Sequence, residues 1–130
     1  MITHITRICF LLAVLLTTLT LLPACNDDPA SPVATHVKVK AVYQGCDWIT
    51  LQILNFRYTA WGQKDFNCWD NGNCMSAVRV ERLQNLAYWD KLELYKEYYV
   101  DMKRIQPQQM AICDIAPGPP DAAVTLLNLY

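Results

Sequence analysis

Two runs in this chain alternate apolar and polar side chains around a short break: His36-Val-Lys-Val-Lys-Ala-Val42, and Trp48-Ile-Thr-Leu-Gln-Ile-Leu54. A strand turns successive side chains to opposite faces. Val37, Val39 and Ala41 therefore share one face, with Lys38 and Lys40 on the other. Ile49, Leu51 and Ile53 oppose Thr50 and Gln52 in the same way. Tyr43-Gln-Gly-Cys46-Asp between the runs has Gly45 as its permissive turn residue. Two alternating runs around a short turn predict an antiparallel hairpin with one wet face. No other stretch limits the fold as strongly.

The rest of the chain continues in short apolar runs separated by breakers. Met75-Ser-Ala-Val-Arg-Val-Glu81 alternates through Ala77 or Val78 and Val80, a third strand. Residues 81–99 have helix-forming composition but no 3.6 spacing; residues 83–89 read as a helical turn or a strand connection. Lys91-Leu-Glu-Leu-Tyr95 and Tyr99-Val-Asp-Met-Lys103 alternate by two and are expected to be strands. Met110-Ala-Ile-Cys-Asp114 is a short apolar run, Pro117-Gly-Pro-Pro120 breaks the chain, and Val124-Thr-Leu-Leu-Asn-Leu-Tyr130 is a last strand. Many short strands and little helix predict an all-β domain, a small barrel or sandwich of about five or six strands.

The first 24 residues read as a targeting segment, an N-terminal signal helix outside the fold. Arg7 is the one strong charge ahead of an apolar run from Ile8 to Leu22. Fifteen helical residues rise about 22 Å at ~1.5 Å each, short of a ~30 Å hydrocarbon core, so a signal-peptide core is expected here instead of a spanning helix. The run ends in Leu22-Pro23-Ala24-Cys25, which resembles the bacterial lipobox. That resemblance implies cleavage before Cys25, a diacylglycerol on its sulfur and acylation of the new N-terminus with a fatty acid such as palmitate. One acyl chain holds a protein only reversibly, whereas two or more anchor it stably. Asn26-Asp27-Asp28 resembles the acidic stretches that route lipoproteins to the surface of some Gram-negative bacteria, and equally reads as a solvated start to a linker. Residues 25–35, with Pro29 and Pro32, are expected to be an extended tether. The expected address is the cell envelope, with the outer membrane, on its periplasmic or surface face, preferred to the inner.

Residues 36–130 then form one small domain that gains from crosslinks. Of the six cysteines, setting aside Cys9 in the leader and Cys25 at the anchor leaves Cys46, Cys68, Cys74 and Cys113. An even count in an exported chain reads as a disulfide framework with three connectivities. The Asn71-Gly72 turn signal between Cys68 and Cys74 favours that pair, leaving Cys46 with Cys113. In the chain-entropy account the short loop contributes about 2 kcal/mol and the long one roughly 4. The chain carries 11 basic and 12 acidic residues. Without Arg7 the balance is ten against twelve, with no basic face for nucleic acid. A monomer is expected.

The lipobox, the Gly45-Cys46-Asp47-Trp48 turn into an alternating strand, and a late Ile112-Cys113 followed by a terminal strand together are similar to small uncharacterised bacterial envelope lipoproteins. The resemblance covers about two thirds of the mature domain, and the insertion at residues 55–74 departs from it. It implies a compact OB-like barrel and a first-to-last cysteine bridge. It implies no reaction.

Candidate chemistry is sparse. His36 is the single histidine of the mature chain and sits at the domain edge, away from any nucleophile it would serve. Four cysteines at these spacings do not match the usual C-x₂₋₄-C zinc pairs. Asp65-Phe-Asn67 and Asp70-Asn-Gly-Asn73 resemble a calcium loop, but Trp69 falls where an oxygen ligand belongs and no glutamate closes it. No carboxylate pair stands out for glycoside chemistry. Neither metal nor cofactor is expected, and no catalytic residue. Trp61, Phe66 and Trp69, on a crosslinked insertion, are the candidate binding surface for a protein or a glycan. The preferred reading of the same rings is satellite core at the barrel end. Tyr95, Tyr98 and Tyr99 likewise read as packing. The expected function is a lipid-anchored, non-enzymatic binding or structural module; the alternative is a metal-binding or hydrolytic envelope accessory.

Overall fold

The computed structural model describes residues 33–108 and 118–130. The leader, Cys25, most of the tether, the run at 110–114 and Cys113 lie outside the described residues. The chain is all-β: β1 (Val33–Gln44), β2 (Trp48–Ile53), β3 (Gln63–Asn67), β4 (Asn73–Glu81), β5 (Glu97–Ile105) and β6 (Ala123–Leu129), with short 3₁₀ turns between them. β1 and β2 form the expected hairpin, Val39 facing Ile53 and Ala41 facing Leu51. β1 also begins earlier than the alternation announced. Val33–Thr35, expected in the tether, lie in the strand, and Ala34 is buried.

Five of the six strands close into a ring. β1 pairs β2 on one edge and β5 on the other; β5 pairs β6, β6 pairs β4 in parallel, and β4 pairs β2. The closing ladder is short, Arg79 beside Ala123 and Val80 beside Val124, with the Arg79 N–H donating to the Ala122 carbonyl at 2.8 Å. β4 is long enough to serve two neighbours on one edge. Its first half pairs β3 (Phe66 facing Cys74), its second half pairs β6, and β2 occupies the opposite edge. The insertion at 55–74 is therefore a hairpin appended to a closed barrel.

The residues predicted to point inward fill the barrel: Val37, Val39 and Ala41 from β1, Ile49, Leu51 and Ile53 from β2, and Val78 and Val80 from β4. β5 adds Val100 and Met102, and β6 adds Val124 and Leu126. Burial of each such side chain stabilises by about 1.5–3 kcal/mol before entropy is subtracted. A second, smaller core of Val42, Cys68, Cys74 and Ala77 lies under Phe66, and the Cys68–Cys74 disulfide sits inside it. Cys46 is also disulfide-bonded.

Two expectations change. Residues 91–95 are not a strand. Trp89–Lys91 is a 3₁₀ turn and the chain stays irregular until Glu97. The Glu93 N–H donates to Tyr98 Oη, and that hydroxyl donates to the Lys91 carbonyl. A side chain of β5 thus takes backbone groups that a ladder would have used. Gly45 does not use its freedom for a left-handed turn. A Cβ there would lie 2.3 Å from the Trp48 ring, so the residue is small because the indole lies on it.

Candidate functional site

The structure separates the three rings expected to share a surface. Trp61 ends the 3₁₀ turn Phe56–Trp61 and is 5% exposed, packed into the main core. The turn is pressed onto β4: Ser76 Oγ donates to the Thr59 carbonyl, and a Cβ on Gly62 would lie 2.2 Å from Ser76 Oγ and 2.7 Å from the Ala77 nitrogen. The indole lies in the core beside that contact, and Arg104 covers it, its guanidinium carbon 4.3 Å from the ring centroid. Phe66 is half-buried over the disulfide core. Trp69 alone is a surface ring, 55% exposed.

Trp69 belongs instead to a cleft of about 260 Å³ between two turns that flank the end of β1. One wall is Trp69 and Asp70, from the stapled turn. The floor is Val42, Tyr43 and Gln44. The far wall is Leu94 and Tyr95, from the loop before β5. β1 positions both walls through its bulge between Ala41 and Tyr43, where Val42 is the extra residue with no partner on β2. Its carbonyl accepts from Asn71 Nδ2 at 3.1 Å, which ties down the first wall. The Ala41 carbonyl accepts from the Tyr95 N–H at 2.7 Å and the Ala41 N–H donates to Lys96, which tie down the second.

Both wall rings sit on strained backbone. Trp69 has φ +59° and Tyr95 φ +70°, the left-handed region that non-glycine residues enter at a cost of about 1–3 kcal/mol. In the first turn, Gly72 takes φ +70° and donates to the Trp69 carbonyl, Cys68 donates to the Gly72 carbonyl, and Trp69 donates to Asn67 Oδ1. The Cys68–Cys74 disulfide closes the turn that carries the Gly72 and Cys68 bonds. Sequence reasoning found Trp69 but took Tyr95 for packing; it is 51% exposed. No local signal marks Tyr95, because its exposure follows from the hydrogen bond to Ala41. The cleft is lined by three aromatic side chains, one carboxylate and one carboxamide, with the phenol hydroxyls of Tyr43 and Tyr95 among them, groups that bind by contact and hydrogen bonding.

A second recess, about 380 Å³, lies beside Trp61 and Arg104, with Pro107 and Asp121 on its rim. Its Asp121 side is held by the Asp121 N–H donating to Gln63 Oε1.

Two polar clusters escaped the sequence reading. The bulges in β1 and β5 leave the His36 N–H outside the ladder, and Asp101 Oδ1 accepts it at 2.8 Å; Oδ2 accepts from Asn128 Nδ2 and Tyr130 Oη. The His36 ring stacks on Tyr130, centroids 4.7 Å apart. This ties β1, β5 and the last strand together. The Asn128 hydrogen bond first, then those from the His36 N–H and Tyr130, hold the Asp101 carboxyl below its ordinary range; the bond to Asp101 in turn raises the Tyr130 phenol. A depressed carboxyl stabilises the fold fully above its unfolded value of about 4 and loses that contribution as pH falls through the folded value. Thermal melts from pH 7 to 2.5 are expected to fall more steeply for the parent than for Asp101→Asn, with the two converging in acid. Parallel curves would remove Asp101 from the acid limb.

The second cluster is on the outer side of the β2–β4 ladder, where Trp48 faces Glu81 and Thr50 faces Arg79. All four are buried. Arg79 Nε lies 3.3 Å from Glu81 Oε1 without hydrogen-bond geometry, and Glu81 Oε1 accepts from the Gln108 N–H. Among the described residues, Trp48 Nε1, Thr50 Oγ1 and Arg79 Nε find no hydrogen-bond partner. Asn85, buried beside them, donates to the Glu81 carbonyl and accepts from the Leu126 N–H. Compared with protein-family models, curated proteins and solved structures, the chain finds no match in any of the three.

Proposed function

We propose that this is a lipid-anchored protein of the bacterial cell envelope, held at the outer membrane by acyl chains on Cys25, and that its domain is a non-enzymatic binding module. The Leu22-Pro23-Ala24-Cys25 motif supports the anchor. The closed five-strand ring with one parallel pairing supports an OB-like barrel, an architecture whose loops carry ligand sites. The partner is a protein, a glycan or a smaller ligand, met by the aromatic cleft of the stapled turn. One observation carries the binding reading: Trp69 and Tyr95, both half-exposed, are held in left-handed backbone on the two walls of one cleft. Strain of this kind persists only where surrounding bonds enforce it, and it gathers at functional sites.

The test compares the parent, Cys25→Ala and Trp69→Gly in the native envelope. The parent is expected in the membrane fraction with acyl mass on a chain beginning at Cys25, and Cys25→Ala without acyl mass and without a chain beginning at residue 25. Trp69→Gly removes an exposed ring and relieves a left-handed φ, so its melting temperature is expected to equal or exceed the parent's, while crosslinking to envelope partners is lost. Lower stability with undiminished crosslinking would make Trp69 a packing residue and end the cleft reading.

A further inference from the structure

We propose that the cleft between Trp69 and Tyr95 receives an organic cation, a quaternary or alkylated ammonium group, seated against the rings with Asp70 as its counter-charge. This rests on the reading of the cleft as a binding site and adds the chemistry of its ligand. Three of the residues lining the cleft are aromatic, Tyr43, Trp69 and Tyr95, and none is basic. Ring faces carry the negative lobe of the aromatic quadrupole, so rings beside a carboxylate make a field that attracts cations and repels anions. The size, about 260 Å³, suits a head group better than an extended chain.

The rest of the molecule shows how its own cations are spent. Arg57 lies over Tyr58, Lys91 over Tyr88 and Arg104 over Trp61. Among the described residues, no lysine or arginine lies over Tyr43, Trp69 or Tyr95. Lys96, next to Tyr95 in sequence, is paired with Glu93. Among the described residues Asp70 takes part in no ion pair, though it is exposed at the cleft. A neutral sugar has no charge to set against Asp70, whereas a cation is drawn by the carboxylate and by the rings together.

The experiment titrates the full chain, in a polyoxyethylene detergent, with choline, with its neutral isostere 3,3-dimethylbutanol, and with a methyl glycoside. Binding is read by calorimetry and from the change in tryptophan emission, assigned to Trp69 by comparison with Trp69→Ala. Choline is expected to bind at least about tenfold more tightly than the isostere, a difference of roughly 1.4 kcal/mol. Asp70→Asn is expected to weaken choline severalfold and flatten its salt dependence, and Trp69→Ala to abolish the signal. A second arm uses Cys25→Ala with vesicles: retention on phosphatidylcholine but not phosphatidylglycerol assigns a lipid head group, and competition by free choline without retention assigns a soluble cation. Equal binding of choline and the isostere, or an Asp70→Asn variant that binds choline as the parent does, overturns the cation assignment. Glycoside binding without choline binding overturns it too, and leaves the cleft a binding site. Silence toward all three probes, with envelope crosslinking indifferent to Trp69, overturns both readings.

Discussion

Replacing Trp61 with alanine is expected to cost about 3–5 kcal/mol, the range for a large buried aromatic truncated in a packed core. The indole is 5% exposed, packs with the barrel core, and is covered by Arg104. A domain of this size has roughly 5–15 kcal/mol in all. The melting temperature should therefore drop by about 12–40 °C, at 4–8 °C for each kcal/mol. Urea unfolding checks the value, and Trp61→Phe should recover part of it. Trp69→Ala, by contrast, should stay within about 0.5 kcal/mol of the parent, as exposed substitutions do. The two tryptophans are eight positions apart in one insertion, so the pair separates packing from surface with one assay. A small effect at Trp61 and a large one at Trp69 would reverse the assignment.

The second large effect is at the buried pair on β4. Glu81→Ala is expected to destabilise by about 3–5 kcal/mol, because it takes from the buried Arg79 guanidinium the counter-charge it has among the described residues. It also removes the acceptor of the Gln108 N–H. Arg79 Nε already lacks a hydrogen bond among the described residues, so the pair is held by charge at 3.3 Å and not by good geometry. Replacing both partners, Arg79→Met with Glu81→Leu, should consequently cost far less than Glu81→Ala alone and is expected to be near neutral. A double-mutant cycle in urea measures the coupling. If Glu81→Ala lies within about 1 kcal/mol of the parent, the pair is solvated and the burial argument fails.

The strands were legible where the pattern was local. Val37, Val39 and Ala41 against Lys38 and Lys40 defined both the strand and its inner face, and Ile49, Leu51 and Ile53 did the same for its partner. The terminal strand was legible for the same reason. The Asn71-Gly72 signal placed a turn between two cysteines that the structure joins. The alternation at Lys91–Tyr95 misled, because five residues alternate readily by composition. There the Tyr98 hydroxyl, rather than a neighbouring strand, satisfies the backbone. The alternation of Met75–Glu81 marked a strand but assigned no place to Arg79 and Glu81; both are buried, and what buries them comes from elsewhere in the chain, out of reach of any period along the strand.

The division between the two kinds of knowledge follows contact range. The sequence alone determined that this chain is all-β, which residues of the first hairpin face inward, and where the short loop is stapled. All of these depend on the two-residue period of a strand or on neighbours within a turn. The tertiary structure alone decided that Trp61 belongs to the core while Trp69 does not, and that Tyr95, 26 positions after Trp69, faces the same cleft. It also decided that an arginine and a glutamate lie buried side by side. Each is set by strand closure and by hydrogen bonds to a bulge in β1, contacts between segments whose separation along the chain leaves no local trace.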